Sequence, residues 1–317
     1  MPIERRLNAD CTLVMRPTSA LRVLTCLPHD PRKHMKKRLA PTLLFVAAIL
    51  SAPLFAQSPV GKIDSLQMPA WLDRGGRTVP ASPGIELFPR DGLRTGKGAR
   101  LLIALNEGSI VRLGENASFE VNEAERKGGI FTAALSVVEG AFRFSTRVLS
   151  TPQPRNITIS VARNATIGIR GTDLWGRSRD DKDIVCLIEG KIDVTGNNNK
   201  TLRLDQPLQF FQSTRNAPPE PVSFLDPKQL EIWAKETDLE AGKGSTENGQ
   251  WKIVIGSFAS RDALLAASRS LRDAGYGVDR AANNTLVLGK LASQAQATEL
   301  AAMLQEGFGL ADVKAGR

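Results

Sequence analysis

Histidine and cysteine are scarce in this sequence, and their scarcity excludes several classes of enzyme. The chain has two histidines and three cysteines among 317 residues. Both histidines, His29 and His34, lie ahead of Met35, as do two of the cysteines. Beyond Met35 this excludes serine–histidine and cysteine–histidine catalysis, histidine-based zinc sites and an intrachain disulfide. We expect no metal and no cofactor, and we interpret the remaining Cys186 as a buried strand residue in an apolar run.

Carboxylate pairs are the remaining route to catalysis, because two acids can hydrolyse a glycosidic bond without histidine. The acidic candidates in the middle of the chain are Glu139, Asp173, Asp183 and Glu189. A general acid and base need a defined mutual geometry, and nothing in the spacing makes two of these residues partners. We therefore expect no enzymatic activity.

Long apolar runs are also lacking, apart from one near the start of the chain. Segment 35–56 opens with three basic residues, continues with an apolar stretch to Phe55 and ends in Ala56. This pattern is typical of a cleavable secretory signal peptide, and the stretch is short for a membrane span. It predicts export to the periplasm, with no transmembrane segment after cleavage; an uncleaved anchor is the alternative. We interpret residues 1–34 as a mis-assigned N-terminal extension.

The excess of positive charge is concentrated in these leading segments. The formal net charge is +9, of which residues 1–34 and the signal segment contribute +6, so about +3 remains. A chain of that charge has no strongly basic footprint, and we expect no nucleic-acid partner.

The last 67 residues contain one short β-α-β pattern twice. Each copy has an apolar run, an Ala-Ser pair, an amphipathic helix and a glycine that ends the helix. The apolar helix positions are Ala263, Ala267 and Leu271 in the first copy and Ala297, Leu300 and Leu304 in the second, with Gly275 and Gly307 as the helix stops. The repeat predicts an α+β, ferredoxin-like βαββαβ domain over 251–317 with both helices on one sheet face.

The other face of that sheet is predicted to be bare. Strand alternation directs Lys252, Val254, Thr285 and Val287 away from the helices. The pattern, with Gly-Ser-Phe after the first strand, resembles the SPOR family of cell-envelope domains. The resemblance implies that these four residues bind peptidoglycan glycan strands without stem peptides, at sites such as the division septum. The sequence departs from the family pattern at two places: Val254 stands where the family often has glutamine, and Lys290-Leu291 stand where it often has Pro-Phe. The alternative to glycan binding is a domain that only dimerises or docks on its neighbour.

The middle region, 57–212, is predicted to be all-β, either a sandwich or a β-solenoid, because short alternating runs recur without helical periodicity. Three Glu-Gly pairs are interpreted as hairpin turns: Glu107-Gly108, Glu139-Gly140 and Glu189-Gly190. Trp175 is predicted to lie in the core.

Four stretches of this region resemble the FecR domain family over about 60–205: LRTGKGARLLIALNEGSIVRLGENASFEV, LSVVEGAFRFST, TIGIRGTDLWGR and IVCLIEGKIDV. The family-typical residues, interpreted as structural, are Thr95, Gly96, Gly108, Ser109, Arg170, Gly171 and Thr172. In the family's namesake this region is the periplasmic half of a membrane regulator. The resemblance implies a periplasmic β-rich module that binds protein or glycan, without transmembrane signalling.

Residues 213–250 are predicted to link the two domains. Asp226 and Pro227 are predicted to begin a helix at about 227–240. Ile232 and Trp233 are predicted to dock this helix on the β domain. Residues 241–250 are predicted to form a flexible tether. The sequence thus predicts a non-enzymatic periplasmic envelope protein that binds peptidoglycan through one domain and a second partner through the other. The alternative is an envelope sensor or scaffold whose C-terminal domain mediates protein–protein association only.

Overall fold

The larger part of the structure consists of short β-strands. The computed structural model describes residues 58–146, 154–162, 165–169, 171–179, 181–214, 217–218 and 220–317. The predictions for the extension 1–34 and the signal segment 35–56 therefore lie outside the described residues. Within the described ranges, no helix is both long and apolar enough to cross a membrane.

Seventeen strands precede the first described helix. In chain order they are β1 (Gly61–Gln67), β2 (Ala70–Arg74), β3 (Arg77–Pro80), β4 (Glu86–Leu87), β5 (Gly92–Thr95), β6 (Arg100–Leu105), β7 (Ser109–Leu113), β8 (Ser118–Lys127), β9 (Ile130–Thr146), β10 (Arg155–Val161), β11 (Ala165–Ile169), β12 (Asp173–Ser178), β13 (Lys182–Glu189), β14 (Ile192–Gly196), β15 (Thr201–Leu204), β16 (Gln209–Thr214) and β17 (Ser223–Phe224).

These strands form two sheets that share the long strand β9. Sheet I has the order β1-β6-β7-β9-β12-β13-β16-β17, with β4 beside the start of β1. Sheet II has the order β3-β2-β5-β8-β9-β10-β11-β14-β15, in which only β9 and β10 run parallel. The first part of β9 belongs to sheet II and the second part to sheet I.

Alternate side chains of both sheets meet in one core, as the period of two in a strand requires. Its largest fully buried members include Phe119 of sheet II and Phe142, Phe144 and Phe211 of sheet I. The all-β prediction for this region is confirmed, and of the two architectures left open by the sequence the paired sheets correspond to a sandwich.

The three Glu-Gly pairs have different roles, and the interpretation of all three as hairpin turns was wrong. Only Glu107-Gly108 joins two paired strands, β6 and β7. Glu139-Gly140 bends β9 from sheet II into sheet I, and Glu189-Gly190 lies between β13 of sheet I and β14 of sheet II. The glycine φ values are +97°, +92° and +91°. A positive φ redirects the chain sharply, which suits a change of sheet as well as a hairpin.

The linker helix, α1 (Pro227–Lys235), is shorter than the predicted 227–240. It begins as expected, because Asp226 caps the backbone N–H of Lys228 at 2.8 Å. It ends at Lys235 because the next residues leave the helix to contact sheet I, where Glu236 forms an ion pair with Arg177.

The C-terminal unit contains four strands and two helices: β19 (Trp251–Ile255), α2 (Arg261–Asp273), β20 (Asp279–Ala281), β21 (Thr285–Leu291), α3 (Gln294–Phe308) and β22 (Val313–Gly316). The element order is βαββαβ, as predicted. The strands are antiparallel in the order β20-β21-β19-β22, and the buried strand residues face both helices.

Two details of its helices differ from the prediction. In α2 the buried residues are Leu264, Ser268 and Leu271, while Ala263 is exposed, so the buried stripe starts one position later. In α3, Gly307 lies inside the helix, and Gly309 ends it in the left-handed conformation at φ +61°. A residue at C′ needs that conformation, so the later glycine forms the cap.

The expected tether is a packed segment in the structure. It contains β18 (Ser245–Thr246), which pairs with β1 on one side and with Leu291 of β21 on the other. Nearby, the Trp71 indole N–H donates to the Asp273 carbonyl oxygen at 3.0 Å. The C-terminal unit is therefore joined to sheet I by main-chain pairing, since β18 satisfies backbone groups of both neighbours.

Candidate functional site

Thr95 and Gly96, which carry part of the FecR resemblance, make contacts within the fold. The buried Thr95 hydroxyl donates to the Gly114 carbonyl oxygen at 2.7 Å and accepts from the Ala117 N–H at 2.8 Å. Gly96 lies against Pro69, whose Cγ would be 2.8 Å from a Cβ at this position. The Gly96 carbonyl oxygen accepts from the Asn116 N–H at 3.2 Å, so both residues hold the turn between β7 and β8 in place.

Gly108 and Ser109 belong to a buried turn. The Ser109 N–H donates to Glu107 Oε2 at 2.5 Å, and the Arg155 guanidinium reaches the Ser109 hydroxyl at 3.4 Å. Glu107 is 1% exposed, and its other oxygen has no hydrogen-bond partner among the described residues. The glutamate therefore acts as a local cap of its own turn.

Gly171 and Thr172 lie where the chain crosses from sheet II to sheet I; Arg170 lies outside the described residues. The Thr172 N–H donates to the Thr146 hydroxyl at 2.7 Å, and its own hydroxyl donates to the Lys191 carbonyl oxygen at 3.1 Å. A Cβ at Gly190 would collide with the Gly171 carbonyl oxygen. The two sheet-crossing corners therefore pack directly on each other.

The four acidic candidates differ in burial and in their partners, and Asp173 and Glu189 are opposite each other on β12 and β13. Asp173 accepts two hydrogen bonds from the Arg143 guanidinium, at 2.9 and 2.7 Å, and this pair raises the pKa of Arg143. Asp183 is buried, whereas Glu139 and Glu189 are exposed. Among the described residues no group of three or more histidine, cysteine or acidic side chains is arranged to hold a metal ion.

An aromatic and cationic cluster covers the outer face of sheet I. The Trp175 and Trp233 rings stack with centroids 4.5 Å apart and planes 16° from parallel. The Arg177 guanidinium lies 5.4 Å and 5.6 Å from these centroids and donates to Glu236 Oε1 at 2.8 Å. Such a guanidinium is held by the ring faces and by its carboxylate together. We call these four residues the tryptophan–arginine cluster.

The helix α1 docks through this cluster. Trp233 is its buried residue, whereas Ile232 is 57% exposed, so only one of the two predicted docking residues contacts the sheet. Trp175 is fully buried, as predicted. Cys186 is also fully buried in the same cluster of side chains, and burial raises the pKa of its thiol to about 12. The thiol is thus neutral and unreactive at ordinary pH.

A cleft of about 450 Å³ opens beside the tryptophan–arginine cluster at the end of α1. Three arginines and three glutamates line it: Arg100, Arg177, Arg179, Glu115, Glu139 and Glu236. Sequence reasoning missed this cleft because its charged residues come from five separate segments of the chain. We call it the charged cleft.

Residues 91–193 match the FecR protein family model. The match runs from just before β5 into β14, so it covers strands of both sheets and the corners at Gly108, Gly140, Gly171 and Gly190. The FecR resemblance is therefore confirmed over this range. The C-terminal unit lies outside it.

Comparisons with other proteins found weaker likenesses. No curated protein matches the chain. Two crystal structures of a candidate anti-sigma factor from Parabacteroides distasonis match at TM-score 0.37. The 1.65 Å structure is 16% identical, and the match covers 45% of this chain. This chain spans about two thirds of the length of that structure's chain, of which 64% is covered. The 2.50 Å structure is 13% identical, with 69% of this chain and 91% of that chain covered. Both overlays are too loose to establish a shared fold.

Outside the FecR-matching residues, the four predicted sheet-face residues of the C-terminal unit lie on one side of its sheet. Val254 and Val287 are directly opposite each other. Lys314 of β22 and Asp279 of β20 extend that row at its two ends. Lys252 is exposed, and Thr285 is half-buried. The row is apolar in the centre and charged at both ends.

Proposed function

We propose that this chain is a non-enzymatic scaffold or sensor of the bacterial cell envelope, and that its FecR-matching sandwich binds an envelope protein. The observation that carries this proposal is the family match over 91–193, which includes strands of both sheets. The FecR family implies envelope-associated regulation rather than catalysis. The proposed location is the periplasm, reached through the predicted signal peptide.

The outer face of sheet II is the surface that we assign to the protein partner. Strand register aligns five hydroxyl residues across five neighbouring strands, in the order Thr201, Thr195, Thr166, Ser160 and Ser136. Ile130 and Val138 on the same side of β9 are 46% and 48% exposed. A sheet face with small hydroxyls and exposed apolar side chains suits a protein interface, because charged residues are depleted at the centres of such interfaces.

Photo-crosslinking from this face tests the proposal. A crosslinking amino acid is placed at Thr166, which is exposed, and at Thr298, an exposed residue of α3, in the full chain expressed in its own bacterium. We expect one envelope protein to be captured from position 166 and not from 298. Thr166→Arg should abolish the complex of the two purified proteins in sedimentation velocity, and Thr298→Arg should preserve it. Equal capture from both positions contradicts the assignment.

We also propose, as a second candidate function, that the open face of the C-terminal sheet binds denuded peptidoglycan glycan. Its support is the position of Lys252, Val254, Thr285 and Val287 on one uncovered face, together with the SPOR resemblance of this unit. The alternative use of the unit is association with proteins only.

Sedimentation of the full chain with sacculi separates these two uses. Glycan binding predicts that pelleting rises when the sacculi are treated with amidase, that Val254→Glu removes it, and that Val138→Glu does not. Val138 serves as the control because it is also a strand valine, lies on a different sheet and is 48% exposed, whereas Val254 is partly buried. No pelleting with either preparation, combined with concentration-dependent self-association, would leave protein association as the function of the unit.

A further inference from the structure

We propose that the charged cleft binds a small zwitterionic ligand, namely an amino acid or a short peptide with a free ammonium and a free carboxylate. This inference does not rest on the proposed function, because it concerns a different surface from the outer face of sheet II. The cleft volume of about 450 Å³ lies within the range of roughly 300–1,000 Å³ that is typical of small-molecule sites.

The cationic side of the cleft is held in place before any ligand arrives. Arg177 is fixed between Glu236 and the two tryptophan rings. Arg100 donates to the Ala99 and Lys235 carbonyl oxygens at 2.7 and 3.3 Å. A guanidinium has five N–H donors, so both side chains retain donors for a carboxylate. Preorganised donors of this kind lose little conformational freedom on binding.

The remaining charges of the cleft are available to a ligand. Glu115 accepts one hydrogen bond, from the Gly98 N–H at 2.7 Å. Glu139 and Arg179 are both exposed, and neither makes a side-chain hydrogen bond or ion pair with another described residue. A carboxylate and a guanidinium that have no charged partner among the described residues are, in the same cleft, complementary to an ammonium and a carboxylate on one molecule.

The equal numbers of arginines and glutamates argue against a purely anionic or cationic ligand. Three carboxylates line the cleft, so a phosphate or a dicarboxylate would be repelled by Glu115 and Glu139. A simple amine would meet the three guanidinium groups in the same way. A zwitterion satisfies both signs, and a peptide of two or three residues can place its two ends apart.

The test uses the tripeptide Gly-Ala-Gly in four forms: with both ends free, N-acetylated, C-amidated and with both ends blocked. Binding to the full chain is followed by tryptophan fluorescence, because Arg177 lies against Trp175 and Trp233, and by calorimetry. We expect each single block to weaken binding about tenfold or more, as loss of a charge-assisted hydrogen bond does, and the double block to abolish it.

Variants assign the two ends. Glu139→Gln should weaken binding of the free-ended peptide but leave the affinity for the N-acetylated peptide unchanged. Arg179→Gln should also weaken binding of the free-ended peptide but leave the affinity for the C-amidated peptide unchanged. The matched controls Glu123→Gln and Arg261→Gln, both exposed and outside the cleft lining, should change neither affinity. Equal binding of all four peptides, or no binding of the free-ended peptide at millimolar concentration, would overturn the proposal.

Discussion

Replacing Trp233 with alanine should release α1 from sheet I. Trp233 is the buried residue of that helix, and its ring stacks on Trp175. Core Trp→Ala substitutions cost about 3–5 kcal/mol. We take about 3 kcal/mol for docking of α1, because Trp233 lies at the edge of its cluster and keeps 9% of its surface exposed. That loss raises the population of the undocked helix by roughly a factor of 100.

The thiol of Cys186 reports this opening. It is fully buried in the same cluster, so a maleimide can reach it only when the cluster opens. When opening and closing are fast, the labelling rate follows the open population. We expect labelling of Trp233→Ala at pH 7.5 to be about 100-fold faster than in the wild type. The measurement is mass spectrometry of the Cys186 peptide, so that Cys11 and Cys26 do not contribute.

The matched control is Ile232→Ala, which removes a neighbouring apolar side chain that is 57% exposed. It should change the labelling rate by less than about twofold, since exposed substitutions typically have effects within ±0.5 kcal/mol. The urea midpoint of each variant is measured alongside. If Trp233→Ala lowers the midpoint but leaves labelling at the wild-type rate, loss of Trp233 does not open the cluster around Cys186, and the docking account is refuted.

Three further predictions concern the corners, the junction and pH. Gly190→Ala should lower the free energy of unfolding by more than Gly98→Ala in a urea titration, because both glycines have positive φ but only Gly190 meets another backbone group; equal losses would contradict this. Gly275→Ala should speed amide hydrogen exchange in β18, because a Cβ there would lie 2.8 Å from the Trp71 ring, while exchange in β11 stays unchanged. Raising the pH from 9 to 11 should lower the free energy of unfolding by about 2 kcal/mol in total through the Cys186 thiol, whose folded pKa of about 12 exceeds its ordinary 9.0. The sign follows because the unfolded chain loses this proton at a lower pH than the folded chain. In chemical denaturation over that range, the free energy of unfolding of Cys186→Ala should therefore decrease less steeply with pH than that of the wild type. An identical decrease in both proteins would exclude the thiol as its cause.

The C-terminal unit was largely predictable because its signals are local. Strand alternation and the Ala-Ser pair before each helix are encoded within a few residues, and in the structure the Ser260 and Ser293 hydroxyls cap the helices by accepting the N–H groups of Ala263 and Gln296. The buried stripe of α2 was displaced by one residue because alanine contributes little to a hydrophobic pattern. Leu264 and Leu271 bury more apolar surface than Ala263, and they set the face that packs.

The Glu-Gly pairs were harder to interpret because the dipeptide encodes a bend and not a connection. A positive φ at glycine is common to a hairpin and to a strand that changes sheets. The choice depends on which strands are neighbours in space, and β9 pairs with four different strands along its length. The charged cleft escaped sequence reasoning for the same reason, since Arg100 and Arg179 lie far apart in the chain.

The packed segment in place of the tether changes how two binding faces would cooperate. A flexible tether would let each module find its ligand separately, with a gain set by effective concentration. Here β18 pairs with both β1 and β21, and Lys62 and Glu247 form an ion pair across the junction. The distance and orientation between the outer face of sheet II and the open face of the C-terminal sheet are then set by main-chain hydrogen bonds. Joint engagement requires partners that are themselves arranged to match this geometry, and the gain vanishes when they are not. Under the proposed function, a chain built in this way would favour a particular arrangement of envelope components over simple proximity to any one of them.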